Sequence, residues 1–134
     1  MRLEKEIKVS QDIDVVFQIF SDPTFTIPKV FPGVSSIKTE GEKFEAEGKF
    51  LTVSYEAKGR VYVGVDEIRF IYDSDKGSGI LYIRKKDDNT LQIILDHSSS
   101  LYGALGRSYV SSNLDNLAKN IDEIIRLERI KRKI

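Results

Sequence analysis

Apolar and polar positions alternate from the start of the chain. In residues 2–9, Leu3, Ile7 and Val9 fall on one side and Arg2, Glu4, Glu6 and Lys8 on the other, with Lys5 the exception. A period of two predicts a half-buried strand. Ser10 stands where a helix N-cap is expected, and Asp12 and Asp14 suit the positive end of a helix dipole. Ile13, Val16, Phe17 and Phe20 follow as one apolar stripe, which Ser21-Asp22-Pro23 ends. Residues 23–33, PTFTIPKVFPG, hold all three prolines of the chain. Proline lacks a backbone donor, so this segment is expected to form at most a short, broken helix. Phe25, Ile27, Val30 and Phe31 make it too apolar for an exposed loop, and it is read as a lid across the core.

From Val34 to about Ser100 the period returns to two, with strands expected near 34–39, 43–50, 53–64, 67–72, 80–86 and 91–98. Turn residues separate most of them, although the break near Leu51 has none. Short connections predict an antiparallel meander. The segment from Leu105 to Ile130 reads as one helix, with Val110, Leu114, Leu117, Ile121 and Ile124 along one face. Such a rod is about 39 Å long, enough to cross a small domain. The expected fold is α+β: a curved seven-stranded antiparallel sheet wrapped around a long C-terminal helix, with two short helices after strand 1, in a single domain spanning 1–134.

Composition narrows the function classes. The 134 residues contain no cysteine, which excludes disulfides and thiolate metal sites. Lys plus Arg equal Asp plus Glu at 21 each, without the basic excess of a nucleic-acid binder. No apolar run reaches the roughly 20 residues of a membrane span, and the charged start, Met1-Arg2-Leu3-Glu4-Lys5-Glu6, is unlike a signal peptide. A cytoplasmic protein is expected. Many charges and few Met, Cys or Trp residues bias the reading toward a thermophilic source.

Small residues, Gly103, Ala104, Gly106, Ser108, Ser111 and Ser112, crowd the start of the long helix. They leave room against the sheet beside Tyr102, Leu105 and Tyr109. Tyr55, Tyr72 and Tyr82 on the strands suit the wall of a pocket that holds a polar group. Ile27, Val30 and Phe31 from the lid, Phe70 from the sheet and Leu114 from the helix complete the expected lining. Ordinary packing accounts for the same residues, so spacing alone leaves both readings open.

The stretch VVFQIFSDPTFTIPKVFPGVSSIKTEGEKFEAEG at 15–48, with Asp22-Pro23 and Pro32-Gly33-Val34, and later Lys58-Gly59-Arg60-Val61, resembles the START and birch-pollen-allergen (SRPBCC, helix-grip) superfamily. Within it the chain looks most like the small prokaryotic members of the carbon monoxide dehydrogenase G-like branch. The resemblance implies a cavity between sheet and C-terminal helix, where members hold lipids, sterols or other apolar molecules. It does not fix one activity, since carriers, cyclases and accessory proteins share the fold.

His97, the only histidine, follows Leu91, Ile93 and Leu95 in phase and is expected on the apolar face. As a catalytic acid or base it needs a partner such as Tyr82 or a carboxylate, whereas Asp96 points the other way. A lone strand histidine is more often a hydrogen-bonded core or rim residue, and a group that orients a ligand is the alternative. The DSDKGSG loop at 73–79 matches a calcium loop only at its first and third positions, and Arg84 stands where that loop needs Glu. Gly103-Ala104-Leu105-Gly106 has GxxG spacing without the context of a nucleotide site, and the basic tail from Arg126 to Lys133 suits a helix C-terminus. No metal, cofactor or catalytic nucleophile is indicated. The expected function is binding or transport of a small apolar, lipid- or fatty-acid-like ligand, with Tyr55, Tyr82, His97 or Arg84 as candidates to hold a polar head. An accessory protein docking on a partner enzyme is the first alternative, and a cyclase- or hydratase-like enzyme using His97 the second. A second copy of the chain is the other partner considered.

Overall fold

The computed structural model describes residues 1–98 and 103–134, with the side chains of Gly103 and Ala104 left aside. Strand β1 (Arg2–Lys8) leads into helices α1 (Ile13–Phe20) and α2 (Pro23–Val30). Six strands follow: β2 (Val34–Glu40), β3 (Lys43–Phe50), β4 (Val53–Val63), β5 (Glu67–Ser74), β6 (Gly77–Asp87) and β7 (Thr90–His97). Helix α3 (Gly103–Arg132) ends the chain. The strands form one antiparallel sheet in the order β1-β7-β6-β5-β4-β3-β2. The two short helices therefore carry the chain from one edge of the sheet to the other, and the meander brings it back to β1.

Local chemistry moves several boundaries from their expected places. Val9 N–H still bonds Asn89 C=O at 2.8 Å, so sheet pairing runs past β1, and Ser10 N–H goes to Asp122 Oδ1 of α3. The N-cap of α1 is consequently Asp12 rather than Ser10, its carboxylate accepting from Asp14 N–H at 2.9 Å. Helix α2 is continuous and not broken. Pro23 sits in its first turn, where no donor is needed, and Asp22 caps it by accepting from Thr24 N–H. The N–H that Pro28 lacks falls opposite exposed Thr24, so the lost bond costs little. At the sequence-silent break after β3, Leu51 takes a positive φ of 57° and turns the chain without glycine.

The buried stripe of α3 is Val110, Leu114, Leu117, Ile121 and Ile125, with Ile124 on its flank instead of in line. At 30 residues the helix runs about 45 Å, longer than expected. It packs on β1, where Lys5, the odd residue in the alternation, reaches Asp115 at 2.8 Å. Helix α1 lies over β6, and α2 fits between β2 and α3. No helix among the described residues is long and apolar enough to cross a membrane.

Candidate ligand-binding site

A hollow lies beneath the C-terminal end of α2, and strand register makes it. On β3 the inward positions are Phe44, Ala46, Gly48 and Phe50. Ala46 pairs with Ala57 of β4, and Ala57 with Ser74 of β5, so three small side chains line up across three strands. Larger rings bound this row: Phe44 and Tyr72 on one side, Tyr55 on the other. Ile27, Phe31 and Pro32 from α2 and its exit, with Val34 of β2, form the roof. The free space is about 20 Å³, room for about one water molecule.

Glycines let the two tyrosines lie close to the sheet. A Cβ on Gly48 would sit 2.6 Å from the Tyr55 hydroxyl, and one on Gly79 would sit 2.6 Å from the Tyr72 hydroxyl. Each ring is then fixed through its oxygen. Tyr55 O–H donates to Pro32 C=O, tying β4 to the exit of α2. Tyr72 Oη lies 2.6 Å from His97 Nδ1, and His97 Nε2 lies 2.9 Å from Lys76 C=O. A carbonyl only accepts, so in the neutral imidazole Nε2 carries the proton and Nδ1 accepts from Tyr72. The Tyr72 ring stacks on His97 at 5.7 Å and meets Phe31 edge-on at 5.2 Å. Burial, aided by the Asp96 charge, pushes the Tyr72 hydroxyl well above its ordinary value, so it stays protonated.

The roof is pinned at several points. Asn113 Nδ2 of α3 donates to Val30 C=O at 3.0 Å. Gly33 adopts a φ of 57°, its C=O accepts from Lys49 N–H at 2.9 Å, and a Cβ there would overlap Lys49 O at 1.9 Å. This gives Pro32-Gly33-Val34 a physical role: a left-handed turn that seats the roof on β3. At the other end of α2, Arg132 bonds Asp22 at 2.7 Å and Glu128 at 2.8 Å. Burial acts to raise the Asp22 carboxyl, but hydrogen bonds from Thr24 and Arg132 outweigh it and hold the group below its ordinary value.

Of the residues expected to line a pocket, Ile27, Phe31, Tyr55 and Tyr72 come together here. Val30, Phe70 and Leu114 are buried in the core beside the hollow without lining it. His97, 2% exposed, stands behind Tyr72, and its hydrogen-bonding partner is Tyr72, not Tyr82. Tyr82 lies between inward-facing Leu81 and Ile83, half-buried on the opposite side of the sheet under the Arg84 guanidinium. Leu105 is 61% and Tyr109 50% exposed, the latter packed edge-on against Phe50. Tyr102 lies outside the described residues. Sequence reasoning sought the empty space at the small residues of α3 and missed Ala46, Ala57 and Ser74. Their signal was small inward residues on adjacent strands, visible only once the register is known. Among the described residues no three His, Asp or Glu side chains converge as a metal-binding set.

Comparison with known proteins places this geometry. A family model, described only by a "-like" label that names no activity, matches residues 1–134. No curated protein matches. Among solved structures, a hypothetical protein from Sulfolobus tokodaii is 74% identical with a TM-score of 0.94, covering 98% of this chain and 99% of that one. ZhuI aromatase/cyclase from a Streptomyces species is 14% identical with a TM-score of 0.55, covering 100% and 96%. Ginseng major latex-like protein 151 is 13% identical with a TM-score of 0.54, covering 87% and 92%. At such identities the last two establish a shared helix-grip fold and nothing about activity.

Proposed function

The chain belongs to the family of the Sulfolobus tokodaii protein, and from that membership, its helix-grip fold and the hollow under α2 we propose that it binds a small, mainly apolar molecule. The reading covers residues 1–134 as one START-like domain working in the cytoplasm, with a lipid-like ligand as the first class to try. The row Ala46–Ala57–Ser74 beneath the roof formed by α2 and its exit is the observation that carries it. Space for one water does not admit such a ligand, so binding requires the end of α2 to lift. The side-chain bonds to Val30 and Pro32 resist that motion, together by roughly 1–3 kcal/mol. Burial of a hydrocarbon chain returns about 0.8 kcal/mol per methylene, so a few methylenes offset the opening.

Native mass spectrometry before and after organic extraction tests the proposal. The expected result is an extractable adduct that raises the melting temperature when returned, and that exchanges faster in Asn113→Ala. No adduct, with no stabilisation by fatty acids, sterols or quinones, would overturn it. The second reading, an accessory protein that docks on a partner enzyme as the carbon monoxide dehydrogenase G-like resemblance implies, would then take its place. One observation favours that reading: Leu51 and Leu105, 64% and 61% exposed, put bare apolar surface at the β3–β4 turn and the start of α3. An enzyme reading has less support, because both nitrogens of His97 are engaged and neither lines the hollow.

A further inference from the structure

The two edges of the sheet are finished differently. On β1, Arg107 of α3 donates to Arg2 C=O at 3.3 Å and Asp122 accepts from Ser10 N–H at 2.9 Å, so α3 meets both ends of that edge. On β2, Gly41, at a φ of 59°, and Glu42 form a two-residue turn between the paired Glu40 and Lys43. In such a hairpin the flanking pair exchanges both backbone bonds, and every second residue beyond it does the same. Glu40, Lys38 and Ser36 therefore bond β3, and the N–H and C=O of Ile37 and Thr39 point away from the sheet. No strand lies beyond β2, and among the described residues no turn, loop or side chain bonds those groups. The strand has no proline, its last three residues are exposed, and its one irregularity lies at the other end, between Val34 and Ser36.

An open edge is a template for another strand, and side chains decide which strand fits. Lys38 and Glu40 share the outer face with opposite charges, and among the described residues neither closes an ion pair. Glu45, opposite Lys38, is instead within 3.8 Å of Lys58. We infer that β2 pairs antiparallel with β2 of a second copy about a two-fold axis at Thr39, joining two sheets into one. The two threonines then exchange the backbone bonds that each leaves unmade. Lys38 falls opposite Glu40 of the second copy, and the reverse, at positions without hydrogen bonds, where facing side chains come closest. Charge fixes this register. An axis at Lys38 would set lysine on lysine, and one at Ile37 would leave both charges without partners. The hollow is untouched, because Val34 of its roof lies outside the paired segment.

Sedimentation equilibrium of the full chain from about 10 μM to about 1 mM tests this. A monomer–dimer equilibrium is expected. Lys38→Glu turns both cross-strand pairs into like charges and should weaken it about tenfold or more. Adding Glu40→Lys restores opposite charges and should return it to within about threefold of the wild type. Thr39→Pro removes an N–H that β3 does not use, and should abolish the dimer while circular dichroism stays native. A monomer at every concentration overturns the inference. So does a dimer indifferent to Lys38→Glu, which would mean association through another surface, or a double variant no tighter than Lys38→Glu alone.

Discussion

The two halves of the inner sheet face share one backbone geometry and differ in how completely they are filled. On β6 and β7, Leu81, Ile83, Leu91, Ile93 and Leu95 are all fully buried against α1 and the sheet, with Val16 and Ile19 equally enclosed. On β3 to β5 the inward positions mix rings with Ala46, Ala57, Gly48 and Gly59, and a hollow persists. Branched aliphatic side chains adjust rotamers until they fill available space. Tyr55 and Tyr72 are rigid and held at their oxygens, so they do not swing in to fill the gap left by the alanines. Emptiness thus comes from fixed polar anchors beside small residues, and closure from the absence of both.

Substitutions that remove volume should separate the halves most. Ile93→Ala in the filled half is expected to cost about 2–5 kcal/mol in urea unfolding, because nothing nearby can collapse into the space. A loss under about 1 kcal/mol would mean that this half is as loose as the other.

Adding volume gives the converse and a smaller effect. Val16→Leu, where the side chain is fully enclosed, should overpack the core and cost about 1–3 kcal/mol. Ala46→Val points its extra methyls into the hollow and should change stability by less than about 1 kcal/mol, while weakening the binding of an apolar ligand. If both variants lose the same stability, the hollow has no functional slack and the contrast between the halves fails.

The filled half was legible in the sequence because it depends on local periods. Alternation in β7 and the four- and three-residue spacing in α3 name their own inward faces. The order of the helices was readable for the same reason, whereas the proline segment, expected as a broken helix, forms the continuous α2. The hollow was not, because Ala46, Ala57 and Ser74 meet only through strand register, and the turn that sets the first pairing relies on Leu51 in a left-handed conformation. The partner of His97 was missed likewise: Tyr72 and Tyr82 are both strand tyrosines, and only the phase of each strand decides which faces inward. On α3, small residues suggested room, yet Ser108 and Ser112 face solvent, where small size creates no cavity.

The anchors themselves supply the smallest and most specific test. Tyr72 has its hydroxyl pushed up from 10 by burial and by Asp96, so the folded state holds that proton more tightly than the unfolded chain does. Its contribution to stability is therefore fully present below about pH 10 and declines as pH rises toward the folded value. Unfolding free energy measured between pH 9 and pH 11.5 should fall more steeply in the wild type than in Tyr72→Phe, which has no proton to lose there. Lys side chains also titrate in this range, but they do so in both proteins and cancel in the comparison. Parallel curves would mean that Tyr72 is solvated enough to ionise normally, and a solvated Tyr72 would not be the fixed, buried anchor beside the hollow.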